Sequence, residues 1–112
     1  MGISTHILDT SLGRPAAKVP VSLARLTGSE WLSINNSSTD ADGRCKQLLS
    51  DDRPLQPGTY RIRFETAVYY EQHRLSGLYP FVEIVFEVRD KEQHYHIPLL
   101  LTANSYTTYR GS

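Results

Sequence analysis

The chain reads as an all-β antiparallel sandwich with one short helix, on three observations. Apolar and polar side chains alternate with period two through several separate runs, as they do in half-buried strands. Turn signals such as Asp42-Gly43 and Pro57-Gly58 separate those runs. One stretch, from Thr66 to about Leu75, breaks the alternation with helical spacing. Strands joined by short turns over 112 residues pack most simply as two antiparallel layers around one core.

Near the start, Ile3, Thr5 and Ile7 face one way and Ser4 and His6 the other. Val19, Val21 and Leu23 then share a face against Ser22 and Ala24. The tight Asp42-Gly43 turn opens a strand at Arg44, and parity sends Cys45 inward. Tyr60, Ile62 and Phe64 alternate with Arg61, Arg63 and Glu65. Thr66 is placed to cap a helix over residues 67–75, with Val68, Gln72 and Leu75 along one stripe. His73 and Arg74 fall in its last turn, favourable for the helix dipole, and Gly77 serves as the stop. Val82, Ile84, Phe86 and Val88 alternate with Glu83, Glu87 and Arg89. Further on, His94, His96 and Pro98 lie opposite Tyr95, Ile97 and Leu99. The β-branched and aromatic run Ser105-Tyr106-Thr107-Thr108 reads as a last strand. It delivers Tyr109-Arg110-Gly111-Ser112 at its tip: a phenol, a guanidinium, a hinge, a hydroxyl and an α-carboxylate.

Composition narrows the function classes. Twelve basic and twelve acidic residues are interspersed, which leaves no basic face for nucleic acid. No run of about 20 apolar residues is present to span a membrane. The start carries neither a basic n-region nor an apolar h-region, and the single Cys45 suits a reducing compartment, so the expected location is cytoplasmic. A calcium loop around Asp40, Asp42 and Gly43 would place its bidentate acid at Leu49, so that reading fails. Zinc on His94 and His96 lacks a completing carboxylate or thiolate at recognisable spacing, and no metal is expected.

Four stretches together carry a family likeness. They are Ser4-Thr5-His6-Ile7-Leu8-Asp9-Thr10 with Gly13-Arg14-Pro15-Ala16, then Thr39-Asp40-Ala41-Asp42-Gly43-Arg44, then His94-Tyr95-His96-Ile97-Pro98-Leu99-Leu100-Leu101, and Tyr109-Arg110-Gly111-Ser112. In this order, from Ser4 to Ser112, they resemble the transthyretin-like 5-hydroxyisourate hydrolases of urate breakdown. The chain departs at Thr102-Ala103-Asn104, where that family more often has Pro or Gly in the turn. The resemblance implies an eight-stranded sandwich with one short helix, forming a single domain over residues 1–112. It implies hydrolysis of 5-hydroxyisourate without a cofactor, and a homotetramer, a dimer of dimers, with sites in the channel between dimers. It picks out His6, Arg44, His96 and Ser112 as catalytic, with Tyr109, Arg110 and Gly111 joining them around the substrate, and leaves His73 and His94 aside. Two other readings stay open: a carrier of a small hydrophobic ligand, as transthyretin is, and a purely structural module.

Overall fold

The computed structural model describes residues 2–112. Nine strands and one helix follow in the order β1 (Ile3–Asp9), β2 (Arg14–Pro15), β3 (Pro20–Thr27), β4 (Glu30–Ser38), β5 (Arg44–Leu49), β6 (Gly58–Phe64), α1 (Thr66–Gln72), β7 (Val82–Val88), β8 (Tyr95–Leu101) and β9 (Tyr106–Thr108). One sheet runs β4-β3-β6-β7. The other runs β2-β1-β8-β9, with β5 pairing β1 beyond the end of β2. The two-residue β2 is the addition to the eight strands expected.

Period-two patterning decides what faces inward. Ile3, Ile7, Val21, Leu23, Ile62, Phe64, Leu99 and Leu101 are all buried between the sheets. Removing side chains of this size from water stabilises the fold by roughly 1.5–3 kcal/mol each. All strand pairs are antiparallel except one. β1 and β8 run parallel, matching Ser4 with His96 and His6 with Pro98. The pairing joins strands about 90 residues apart in sequence, a register that neither strand's own pattern encodes.

The helix differs from expectation in three ways. It ends at Gln72, and Glu65 rather than Thr66 stands at its N-cap. Thr66 is instead buried, its hydroxyl donating to the Tyr79 carbonyl. The Val68 and Leu75 side of the stripe faces outward, at 37% and 40% exposure, while Tyr69 and Tyr70 point inward. Tyrosines win because their rings fill the core and their hydroxyls find acceptors. Tyr69 donates to Oδ2 of Asp9 at 2.6 Å, and Tyr70 to the Thr102 carbonyl at 2.9 Å. The left-handed residue past the helix is Arg74, at φ 54°. Gly77 has another task, since a Cβ there would lie 2.0 Å from the Tyr70 ring. The turn at Thr102-Ala103-Asn104 closes without Pro or Gly. Thr102 N–H donates to the Ser105 carbonyl at 2.9 Å, and Thr102 Oγ1 accepts from Asn104 N–H at 3.2 Å.

Candidate functional site

Strand register assembles a row of polar side chains on the outer face of the β5-β1-β8 sheet. The antiparallel β1-β5 pairing sets His6 directly opposite Arg44. The parallel β1-β8 pairing sets Ser4 beside His96. Side chains opposite one another on one face come within contact range. Arg44, His6, Ser4 and His96 therefore cross three adjacent strands.

The loop before β5 fixes Arg44. Asp40 Oδ1 accepts the backbone N–H groups of Asp42 and Arg44, both at 2.9 Å. The Arg44 bond is the largest cause holding the Asp40 carboxyl below its ordinary value. Gly43 sits at φ 75°, and a Cβ there would lie 2.5 Å from the Ile7 carbonyl. Only glycine fits both the turn and the approach to β1. Cys45 is buried as parity requires, and burial pushes its thiol up, away from nucleophile chemistry.

The last strand carries Ser112 to the same place. Thr108 Oγ1 donates to the Pro98 carbonyl at 2.7 Å, and Gly111 N–H to the His96 carbonyl at 2.8 Å. Gly111 does not act as a left-handed hinge: the glycines with positive φ among the described residues are 13, 28, 43 and 58. It is needed for contact, since a Cβ would meet Cδ2 of His96 at 2.5 Å. Ser112 then lines a basin of about 200 Å³ with Ser4, Arg44, Lys46, His94 and His96.

Both histidines of the row are held below the ordinary imidazole value. For His6 burial is the largest cause and the Arg44 charge the next, opposed by the Asp42 carbonyl and the charges of Asp40 and Asp42. For His96 burial again leads, followed by the charges of Arg44, His6 and His94. Each ring is therefore neutral around pH 7, with one nitrogen to donate and one to accept.

The other expected residues lie outside the basin's lining, His6 in the row opposite Arg44. Tyr109 and Arg110 line a second hollow of about 570 Å³ beside the edge of β7, not the histidine basin. Arg110 donates to Oε1 of Gln93 at 2.8 Å and stacks over the Tyr95 ring at 4.4 Å. Although the larger of the two, this hollow holds none of the histidines. His73 packs against the Tyr69 ring at 4.6 Å, outside the basin. Four basin residues were not among the expected site residues: Ser4, Thr5, Lys46 and His94. Strand parity had already put His94 on the face of His96, and Ser4 on that of His6. That signal was sufficient to find both. Among the described residues, no three His, Cys, Asp or Glu side chains gather as metal ligands, and no helix is long and apolar enough to cross a membrane.

The chain has close likenesses among known proteins. The model of the HIUase/Transthyretin family matches residues 3–111. A 5-hydroxyisourate hydrolase of Mus musculus is 42% identical over 112 residues, covering 98% of this chain and 94% of the relative. The structure of a Klebsiella pneumoniae 5-hydroxyisourate hydrolase superposes with a TM-score of 0.85 at 34% identity, over 100% of both chains. A sea bream transthyretin in complex with thyroxine gives a TM-score of 0.91 at 29% identity, over 99% of this chain and 95% of that one. A family model matching residues 3–111 and a relative 42% identical across nearly the whole length place the chain in the HIUase/Transthyretin family.

Proposed function

We propose that the protein hydrolyses 5-hydroxyisourate, opening its six-membered ring to 2-oxo-4-hydroxy-4-carboxy-5-ureidoimidazoline in urate catabolism. The observation that carries this is the row of His96, His6 and Arg44 on one sheet face beside Ser112, in a chain 42% identical to a named hydroxyisourate hydrolase. Hydrolysis of a cyclic amide needs an activated water, a cation for the developing oxyanion, and a proton for the leaving nitrogen. Neutral imidazoles at His6 and His96 supply the base and an oriented partner. Arg44 offers a planar fork of donors that matches adjacent carbonyl and amide groups, and its charge stabilises the oxyanion. Ser112 orients the substrate, with Gly111 packed against His96 and Tyr109 and Arg110 bracing the segment that carries Ser112.

A single chain leaves the site unfinished. The basin's 200 Å³ falls below the roughly 300–1,000 Å³ of ordinary small-molecule sites. A homotetramer, a dimer of dimers, would cover it and bury the open edges of β7 and β9. The cytoplasm is the compartment that suits one free, buried cysteine.

The likeness to a thyroxine-bound transthyretin favours a second reading, a carrier of a small hydrophobic ligand. The basin opposes it, because histidine, arginine, lysine and serine side chains line it where a carrier would need apolar groups. The test is direct. The protein is mixed with urate freshly oxidised by a uricase, and the ultraviolet decay of hydroxyisourate is followed. A decay no faster than the spontaneous one would reject the hydrolase.

A further inference from the structure

His96 is held from behind by a hydrogen-bonded chain for which the reaction so far has no use. Oγ of Ser4 lies 2.8 Å from Nδ1 of His96 and 2.8 Å from Nε2 of His94. At the far end the backbone N–H of Gly2 donates to Nδ1 of His94 at 3.3 Å. Ser4 is buried, at 7% exposure, so water has little access to break the line.

Such a chain has a direction. A hydroxyl owns one proton, so Ser4 donates to one ring and accepts from the other. A neutral imidazole likewise carries one proton on one of its two nitrogens. The Gly2 amide can only donate, which makes Nδ1 of His94 an acceptor. The His94 proton therefore sits on Nε2 and is given to Ser4 Oγ. Ser4 then gives its own proton to Nδ1 of His96. What remains on His96 is a proton at Nε2, the nitrogen left over for the basin.

His6 meets the opposite surroundings. The Asp42 backbone carbonyl, a group that only accepts, acts on the His6 ring to raise its pKa. A ring proton drawn toward that carbonyl leaves the other nitrogen bare.

We propose that Ser4 and His94 are positioning residues that lock neutral His96 as its Nε2–H tautomer, so that His96 is a hydrogen-bond donor to the substrate and His6 is the base. The role in catalysis rests on the hydrolase reading; the direction of the chain does not. The proton balance closes on His6 alone. Its bare nitrogen takes a proton from water as the water oxygen bonds to the ring carbonyl carbon. The same proton passes to the leaving nitrogen as the C–N bond breaks. His96 gives up no proton; its Nε2–H, with Arg44, steadies the negative charge on the carbonyl oxygen. Neutral histidine serves as an electrophile of this kind where its surroundings keep it from charging. The Arg44 charge acts against protonation of His96, as would any charge on His6 or His94.

Substitutions at His94 can reverse the chain without touching the basin's reacting groups. His94→Gln keeps an N–H donor toward Ser4. His94→Glu offers only acceptors, so Ser4 would turn to donate to it and accept from Nδ1–H of His96, baring Nε2. Histidine-15N protein is examined by two-bond proton–nitrogen NMR at pH about 8, well above the ordinary imidazole value, and kcat and KM are measured in parallel. The expected result is the Nε2–H tautomer of His96 in the parent and in His94→Gln, and the Nδ1–H tautomer in His94→Glu. In Ser4→Ala and His94→Glu, kcat should fall about 10- to 100-fold with KM nearly unchanged, as when a ligand's supporting partner is lost. His94→Gln, which keeps a donor toward Ser4, should retain more of the parental kcat than His94→Glu, and thermal melting checks each fold. An Nδ1–H tautomer in the parent, an unaltered tautomer in His94→Glu, or a parental kcat in Ser4→Ala would overturn the proposal. A parent with the expected tautomers that leaves hydroxyisourate untouched would instead reject the hydrolase and leave the chain's direction standing.

Discussion

His6 and His96 owe their chemistry to what surrounds them rather than to their own type. An unperturbed imidazole is half protonated at pH near 6.5, and both rings here are pushed lower by burial first and by neighbouring cations after that. The sign of the effect on activity follows. In the proposed mechanism neutral rings are the working form, so kcat/KM should stay level from pH about 8 down to about 6.5 and fall only below that. Stability moves the same way: a folded-state pKa below the unfolded one gives stability above pH 6.5 that is lost as the pH falls through the lowered value. A profile flat from pH about 5 to 8, after correction for spontaneous decay, would remove histidine as base. His6→Ala and His96→Ala should each reduce kcat/KM about 100-fold or more. His73→Ala, against the Tyr69 ring and away from the basin, should leave it close to the parent.

At the level of elements, what was legible in the sequence was parity, and what was hidden was register. Alternation alone put Tyr60, Ile62 and Phe64 in the core and His6 and His96 outside it. The Asp42-Gly43 turn announced Arg44 at the head of a strand. Nothing local in β1 or β8 states that they run parallel, yet that pairing brings Ser4 to His96. The helix misled because its inward face is made of tyrosines, whose polar tips look like surface groups until Asp9 and Thr102 are found beneath them. Tyr69, 1% exposed, has its ionisation pushed up by burial and by Asp9, so it stays a donor to that carboxylate at any ordinary pH. Tyr69→Phe should destabilise the fold by about 1–3 kcal/mol, lowering the melting temperature by several degrees. An unchanged melting curve would mean that water replaces the hydroxyl. The last strand makes a separate prediction. Its anchors at Thr108 and Gly111 precede Ser112, so deleting Ser112 should spare thermal stability. Activity should drop by about 3 kcal/mol in the barrier, on the order of 100-fold, as when one oriented polar group leaves a site. Ser112→Ala then separates the hydroxyl from the rest of the residue, and a histidine tag after Ser112 should do harm similar to the deletion. Parental turnover in the truncated or tagged protein would return the ending to ordinary surface.

For the molecule as a whole, the open question is what covers its edges. On one side the two sheets end on β7 and β9, as on the other they end on β4 and on β2 with β5, and neither β7 nor β9 has a partner on its outer side among the described residues. Val85, on β7, is 57% exposed, and the hollow of about 570 Å³ beside it is lined by Ile84, Phe86 and Tyr109 as well as by charges. Unpaired edges with apolar flanks invite further strands, and proteins that persist in solution close them. A two-fold axis closes an edge by pairing it with its own copy, which ends growth instead of propagating it. The histidine basin lies on the outer face of the β5-β1-β8 sheet, where edge pairing alone leaves it uncovered. Enclosing the basin takes a second contact, face to face, and two kinds of two-fold contact make a dimer of dimers. Light scattering at micromolar concentration should therefore give four times the 12.7 kDa of one chain. Val85→Lys, which puts a charge on the β7 edge, should lower both that mass and the rate of hydroxyisourate turnover, since the basin's cover depends on the assembly. A monomeric mass with full turnover would show that one chain builds the whole site by itself, and the tetramer would have to be abandoned.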